Sequence, residues 1–346
     1  MTRKTSLLVT AFAFAGLLTP AGANHGLTRF VSTDGIDSGD CLTNPCRTIQ
    51  FAVDTANPGD VIWVRPGTYN ENLMITKPNL TLQGSGASST IISGDRTANV
   101  VTVFGVTSFT IERFTVRNAG KSGAVPGSAA IELNPNSGSA MGNWVVRRNI
   151  LVGNGFGVAL LNSLGGGTAL IQNNLIANND FMGIINIGHP HVTVRNNTIA
   201  DNGFIGYYEF VGAANNIVEN NVVARNGFGF PCTVCTATGI VVGPVGLNFI
   251  SFNDVFDNAK GNYAQNTGAG FIPYTPSGPG EISADPKFRN APYGDYGLSL
   301  DSPAIDAGTN TDAPPRDLDG VARPQDGNSD GVPVVDMGAF ERRAVN

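Results

Sequence analysis

Charged side chains make up only 14% of this chain of 346 residues, and the net charge is −6. No stripe rich in Lys and Arg appears, so the electrostatic footprint of a nucleic-acid binder is missing and nucleic acid is not an expected partner. Histidine occurs three times and cysteine four times. His189 and His191 flank Pro190 in a turn with no third ligand in view, and the Cys232/Cys235 CxxC has no second pair to complete a zinc site. The βαβ context of a redox CxxC is missing as well. No apolar run reaches bilayer length; the one from Leu7 to Leu18 is too short to span. It follows Arg3 and Lys4 and precedes Ala21-Gly22-Ala23, the pattern of a secretory signal peptide over 1–23, cut after Ala23. The expectation is a secreted monomer, extracellular or periplasmic, with local disulfides Cys41–Cys46 and Cys232–Cys235.

What the chain does have is glycine, 44 residues of it, and asparagine in columns. Five segments align without gaps: VRRNILVGNG, IQNNLIANND, VRNNTIADNG, VENNVVARNG and ISFNDVFDNA. One column runs Asn149, Asn174, Asn197, Asn221 and Asn253; a second, five positions later, runs Asn154, Asn179, Asn202, Asn226 and Asn258. The first three steps are 25, 23 and 24 residues (149 to 174, 174 to 197, 197 to 221), and the last, 32, implies an insertion. The unit is built of short β-branched runs such as Val192-Thr193-Val194, punctuated by Gly and Asn, with no long helix-forming stretch. A repeat of this size made of short strands predicts an all-β solenoid, a parallel β-helix. Each strand then pairs with its copy in the next coil, and identical side chains stack. The Asn columns are expected to hydrogen-bond their own turns and one another, satisfying polar groups that a buried bend would strand.

Three further columns bear on function. Phe156, Phe181, Phe204 and Phe228 lie seven positions after the first Asn. They either fill a corner of the core or present rings to sugar faces. Phe204 and Phe228, with Asp180 and Glu209, form the candidate binding set. Two positions before the first Asn stand Glu112, Arg147, Gln172, Arg195, Glu219 and Ser251, whose alternating signs predict mutual pairing on a solvated sheet face. Four positions after it stand Asn118, Gly153, Asn178, Asp201, Arg225 and Asp257. Asp201, Arg225 and Asp257 would stack with the arginine between two carboxylates, and they are the candidate catalytic set. Inserted corner loops at 121–128 and 229–238 could wall a groove beside them.

Ahead of the repeats, Thr48 to Ala56 carries apolar residues at Ile49, Ala52, Val53 and Ala56 and ends at Asn57-Pro58-Gly59. This predicts a short helix lying across the open end of the solenoid, within an N-terminal cap over 24–58. VIWV, LMIT, LTLQG and TIISG then read as strands of the first coils. At TIQ-A…A-PGD-I-V-PGTY-E and L-L-G the chain resembles the secreted right-handed parallel β-helix proteins of the pectate-lyase-like superfamily, over about residues 28–275. The resemblance implies a right-handed coil over 59–275. It also implies a choice among lyases, hydrolases, epimerases and members without activity. A lyase of that superfamily holds Ca²⁺ against a uronate with an acidic cluster and removes the α-proton with Arg or Lys. The Asp-Pro-His-Tyr run of its epimerases and the Asn-Thr-Asp, Asp-Asp and Gly-His-Gly set of its polygalacturonases are missing.

After the Gly/Pro-rich GAGFIPYTPSGPG the chain turns rich in Asp. SPAIDAG, DLDG-x-R and D-x-GAFE occur in order within about residues 285–341, and this stretch resembles the choice-of-anchor Q domain that often follows secreted β-helices. A C-terminal β/loop module over 276–346 is expected to close the last coil. Within it, Asp326, Asn328 and Asp330 carry the spacing of the first half of a calcium loop, with Asp336 one place short of its usual last carboxylate. Two functions of different class are compatible with these readings. One is a noncatalytic exported β-helix that binds a polysaccharide or cell-surface glycan. The other is a calcium-dependent polysaccharide lyase or a related uronan-active enzyme, with Asp201, Arg225 and Asp257 in its site.

Overall fold

The computed structural model describes residues 26–120, 128–136, 143–161, 167–210, 213–229, 239–243, 248–276 and 278–344. The signal-peptide segment, the Cys232/Cys235 pair and most of the loops at 121–128 and 229–238 lie outside the described residues.

From Val61 onward the chain visits three sheets in turn, once per coil. Sheet A runs in nine strands from Thr28–Val31 to Phe249–Ser251, and sheet B in eight from Gly67–Asn70 to Asp254–Phe256. Sheet C starts at Leu73–Ile75, and its ninth strand, Phe271–Pro273, is antiparallel to Tyr263–Asn266. All other pairings in the three sheets are parallel and join each coil to the next, the pattern of a right-handed parallel β-helix. Period-2 alternation does the packing. On sheet A, Ile62, Leu82, Ile111, Val146, Ile171, Val194, Val218 and Ile250 stand in register and face inward, each at most 2% exposed.

The predicted end-capping helix is present as α1 (Ile49–Thr55), which buries Ile49, Ala52 and Val53. Thr48 caps it by accepting from Phe51 N. The Glu71 carboxylate receives the N–H groups of Ile49 and Gln50, both at 2.9 Å, so three otherwise orphaned donors are satisfied.

Both Asn columns form continuous interior ladders. Asn149 donates its backbone N–H and its Nδ2 to Asn174 Oδ1 at 2.9 and 3.2 Å, and Nδ2 also reaches Ile111 O in the coil behind. The same bonds repeat from Asn174 to Asn197 to Asn221 to Asn253, and in the second column from Asn154 through to Asn258. Where the columns run out, other groups accept: Glu281 takes both donors of Asn253, and Asn262 Oδ1 takes Asn258 Nδ2. A glycine column that the irregular spacing hides lies inside the sheet C corner. A Cβ at Gly157, Gly183 or Gly206 would come within 2.3–2.6 Å of Ile176, Ile199 or Val223.

Each ladder Asn follows a left-handed residue. Before the first column these are Arg148, Asn173, Asn196, Asn220 and Phe252, with φ between 52° and 57°. Before the second they are Gly153, Asn178, Asp201, Arg225 and Asp257, with φ from 47° to 69°. These two rows edge sheet B, one on each side, and point outward.

The last coil is closed without the bulk of the C-terminal module. Closure comes from Phe271–Pro273 and from 278–284, where Phe252 N donates to Pro279 O, Val255 N to Ile282 O and Ile282 N to Asn253 O. The described residues of the Gly/Pro-rich stretch are therefore part of the solenoid, and the chain changes partners near Asp285. Beyond that point the module lies along the outer face of sheet B. Tyr296, Leu318 and Ala339 pack on Leu175, Ala177 and Ala200, while Leu298, Ala304 and Met337 pack on Val222 and Ala224. Strands of sheet B are thus buried on both faces, which explains why LIA and VVA read as continuous apolar runs rather than as alternation.

Candidate functional site

The candidate catalytic residues sit on the row of left-handed bends between sheets B and C. Asn, Asp and Gly tolerate such a bend best, so a short polar residue there is first of all a local solution to backbone strain. Arg225 at this position donates Nε and Nη2 to Asp201 Oδ1 and Oδ2 at 2.8 and 2.6 Å, a bidentate pair. Two aromatics of the module complete the arrangement. Tyr296 Oη donates to Asp201 Oδ2 at 2.8 Å and accepts from Asn178 Nδ2 at 2.9 Å, and the Arg225 guanidinium lies 4.9 Å from the centre of the Phe288 ring. Hydrogen bonding to Asp201 raises the Arg225 pKa further, and burial followed by the Asp201 charge raises the Tyr296 hydroxyl well above its usual value.

The arginine is therefore not shared between two carboxylates. Asp257 is exposed, and Arg225 forms no ion pair with it among the described residues. The physical reason is the module: with Phe288 on one face and Asp201 on its fork, the guanidinium has settled toward the preceding coil. Tyr296 and Phe288 were missed in the sequence because their partners lie 95 and 63 residues away (296 − 201 and 288 − 225).

Beside this pair lies an open cleft of about 580 Å³, lined by Asp180, Asp201, Gly203, Arg225, Phe228 and Gly229 among others. Its floor is backbone: a Cβ on Gly203 would fall 2.1 Å from Asp180 O, and one on Gly229 would fall 3.0 Å from Gly203 Cα. Phe228 is 66% exposed at its edge, whereas Phe204 is buried and stacked on Phe181 at 4.9 Å. The Phe column thus splits. Phe156, Phe181 and Phe204 fill the corner, and Phe228 presents a ring to solvent. Asp180 and Phe228 join the cleft, and Phe204 does not.

Glu209 is not a surface binding residue. It is fully buried at the end of a sheet C strand, in register with Asn186, and accepts from Tyr207 Oη, Asn216 Nδ2, Gly243 N and Asn248 Nδ2 at 2.6–3.0 Å. Desolvation raises its pKa, partly offset by those four donors. It ties successive coils at the third corner as Asn does at the other two.

The calcium-type spacing resolves into two separate structures. Asp326 Oδ1 and Oδ2 accept from Asp330 N and Gly331 N, Asn328 Oδ1 accepts from Asp330 N, and Asp330 Oδ1 accepts from Val332 N. Asp336 is buried elsewhere, accepting from Asp306 N and Arg342 N. The carboxylates thus cap a turn, and no cluster of three or more potential metal ligands forms among the described residues. Nor do the histidines pair. His189 is buried with Nδ1 at Pro190 O, its pKa lowered chiefly by burial, while His191 is exposed. Cys41 and Cys46 are bonded as expected. The predicted charge row on sheet A pairs as Arg147 with Glu112 at 2.6 Å and Arg195 with Glu219 at 3.0 Å.

Comparison with known proteins agrees with this architecture. The family described as the right handed beta helix region matches residues 85–274, more than half of the chain. A probable pectinesterase/pectinesterase inhibitor of Arabidopsis thaliana is 44% identical over 52 residues, 14% of this chain and only 10% of that protein. Among solved structures, the pectate lyase Pel9A aligns over 93% of this chain and 98% of its own, at 14% identity and a TM-score of 0.45. The pectin methylesterase of Aspergillus niger aligns over 75% and 85%, at 16% identity and a TM-score of 0.42. No helix among the described residues is long and apolar enough to cross a membrane.

Proposed function

This chain belongs to the right handed beta helix region family, whose fold by itself names no reaction, and we propose that it is an exported, noncatalytic saccharide-binding member. The observation that carries the proposal is the state of Arg225. A proton-abstracting arginine needs free electron density at a nitrogen, and hence a depressed pKa. Arg225 is moved the other way, chelated by Asp201 and covered by Phe288. What stays open is the cleft next to it, with the exposed Phe228 ring as a stacking platform and Asp180 and the Asn-Gly corners as hydrogen-bonding floor.

The local likeness to a probable pectinesterase makes pectin-derived oligomers the first probes, followed by other uronans and neutral glycans. Titration calorimetry should give saturable binding that Phe228→Ala weakens about tenfold, the scale of one lost aromatic stacking contact. Ultraviolet absorbance of the same mixtures, with calcium and with EDTA, tests the lyase alternative. Appearance of an unsaturated product that EDTA abolishes would overturn the noncatalytic reading in favour of a calcium-dependent lyase.

A further inference from the structure

A second cleft opens at the opposite edge of sheet B, between Arg147, Arg148, Gln172 and Asn173 on the solenoid and Pro315 and Arg316 on the module, with a volume of about 230 Å³. It gathers three guanidinium groups in a chain whose net charge is −6. The carboxylates around it are already engaged. Glu112 accepts from Gln83 Nε2 and Arg147 Nε at 2.7 and 2.6 Å, and Asp317 accepts from Val321 N and Glu341 N at 2.7 and 2.9 Å. Asp319 forms no ion pair with Arg148 or Arg316 among the described residues, nor do those two arginines pair with any other carboxylate. Arg316 is exposed, and one of its nitrogens donates to Gly320 O.

Arg148 is the less ordinary of the two. It occupies a left-handed bend where the next three coils carry Asn173, Asn196 and Asn220. Those asparagines clamp the module, donating to Arg316 O, Asp336 O and Thr309 O. At the coil where the cleft opens, the clamp is replaced by a cation. Its Nε is buried without a hydrogen-bond partner; Arg113 and Arg147 repel its charge, and Glu112 and Asp317 attract it without forming an ion pair among the described residues. A buried guanidinium nitrogen left without an acceptor is unfavourable, and an oxyanion bound in the fork of Arg148 and Arg316 would offset that cost.

We infer that this cleft is an anion subsite for an acidic glycan, taking a uronate carboxylate or a sulfate ester between Arg148 and Arg316. It rests on the saccharide-binding reading for the polymer that carries the anion, and adds the charge of that polymer. The test compares an oligogalacturonate, a sulfated oligosaccharide and a neutral oligosaccharide of equal length. Each is titrated into the full chain, into Phe228→Ala, and into the double variant Arg148→Asn, Arg316→Gln. Asn is the residue the neighbouring coils use at the bend, so the double variant should keep its fold; Arg316→Gln alone, at an exposed position, serves as the check. The double variant should bind at least one acidic oligomer about tenfold more weakly, with a shallower salt dependence, and the neutral one unchanged. The acidic oligomer that binds the wild type more tightly identifies carboxylate or sulfate as the source. Unchanged affinity of both acidic oligomers in the double variant overturns the subsite, as does a wild type that prefers the neutral oligomer. Loss confined to Phe228→Ala would leave the saccharide-binding reading standing without it.

Discussion

Each bend of the solenoid sets two neighbouring residues to opposite tasks. The ladder Asn turns inward, where Asn197 donates to Asn221 Oδ1 twice and to Ile171 O. The residue before it, Asn196, turns outward in a left-handed conformation and donates to Asp336 O of the module. The inner column tolerates little variety, because every member must both give and accept within a sealed stack. The outer column varies from Asn to Arg to Phe, because it needs only to survive the bend and to meet whatever covers it. Chemistry is therefore to be sought on the outer column, and stability on the inner one.

The largest effect should come from breaking the inner column. Asn197→Ala removes three donated bonds, strands Asn174 N against an apolar side chain and takes one of the two acceptors from Asn174 Nδ2, at a cost of about 3–5 kcal/mol. Thermal unfolding should show it as the steepest loss among single variants, and a shift like that of a surface substitution would mean the ladder is dispensable.

The next effect concerns Asp254, at the far end of sheet B's outer face. It is fully buried, one carboxylate oxygen accepts from Ala284 N at 3.1 Å, and the other has no partner. Burial, then the charges of Asp285 and Glu281, push its pKa up to about 7. A folded-state pKa above the unfolded value means the folded form holds the proton more tightly. Its contribution to stability is therefore present below about pH 4 and is lost as pH rises toward about 7. Asp254→Asn should be more stable than the wild type at pH 8 by a few kcal/mol on the scale of such shifts, and should flatten the pH dependence between those limits. Equal slopes in denaturant titrations of both proteins would refute this, since other raised carboxyl groups, Asp336 and Glu341 among them, would then account for the window.

The smallest effect belongs to the outer column. Tyr296→Phe deletes the donor to Asp201 while keeping the ring on Phe288, and should cost about 1 kcal/mol. Faster limited proteolysis within 285–344, with the solenoid resistant, would show that this row holds the module in place. Uniform cleavage of both parts would assign the bond no docking role.

Much of the interior was legible in the sequence. The five-residue spacing between Asn149 and Asn154, and its recurrence, could belong only to a stacked coil. The alternation of Val192, Thr193 and Val194 gave the inward faces, and Thr48 with Asn57-Pro58-Gly59 bounded α1. The outer column was legible only as a list of residues. Asp201, Arg225 and Asp257 share a column and read as a charge stack, but their pairing depends on Phe288 and Tyr296, which no repeat announces. Glu209 was placed with the candidate binding residues, yet its strand ends inside the third corner. The doubled asparagines at 173–174, 196–197 and 220–221 did carry a signal for the clamp, since one member of each pair had to face outward.

The sequence by itself determined the coil, its ladders and its N-terminal cap, because these arise from interactions between neighbouring copies of one repeated pattern. Only the tertiary structure decided what lies on the outside. Beyond Asp285 the module folds back along sheet B because the outer face of that sheet is apolar, from Leu175 to Ala224, and would otherwise be exposed to water. That one packing choice locks Arg225 to Asp201 and leaves a cleft open along each edge of the sheet.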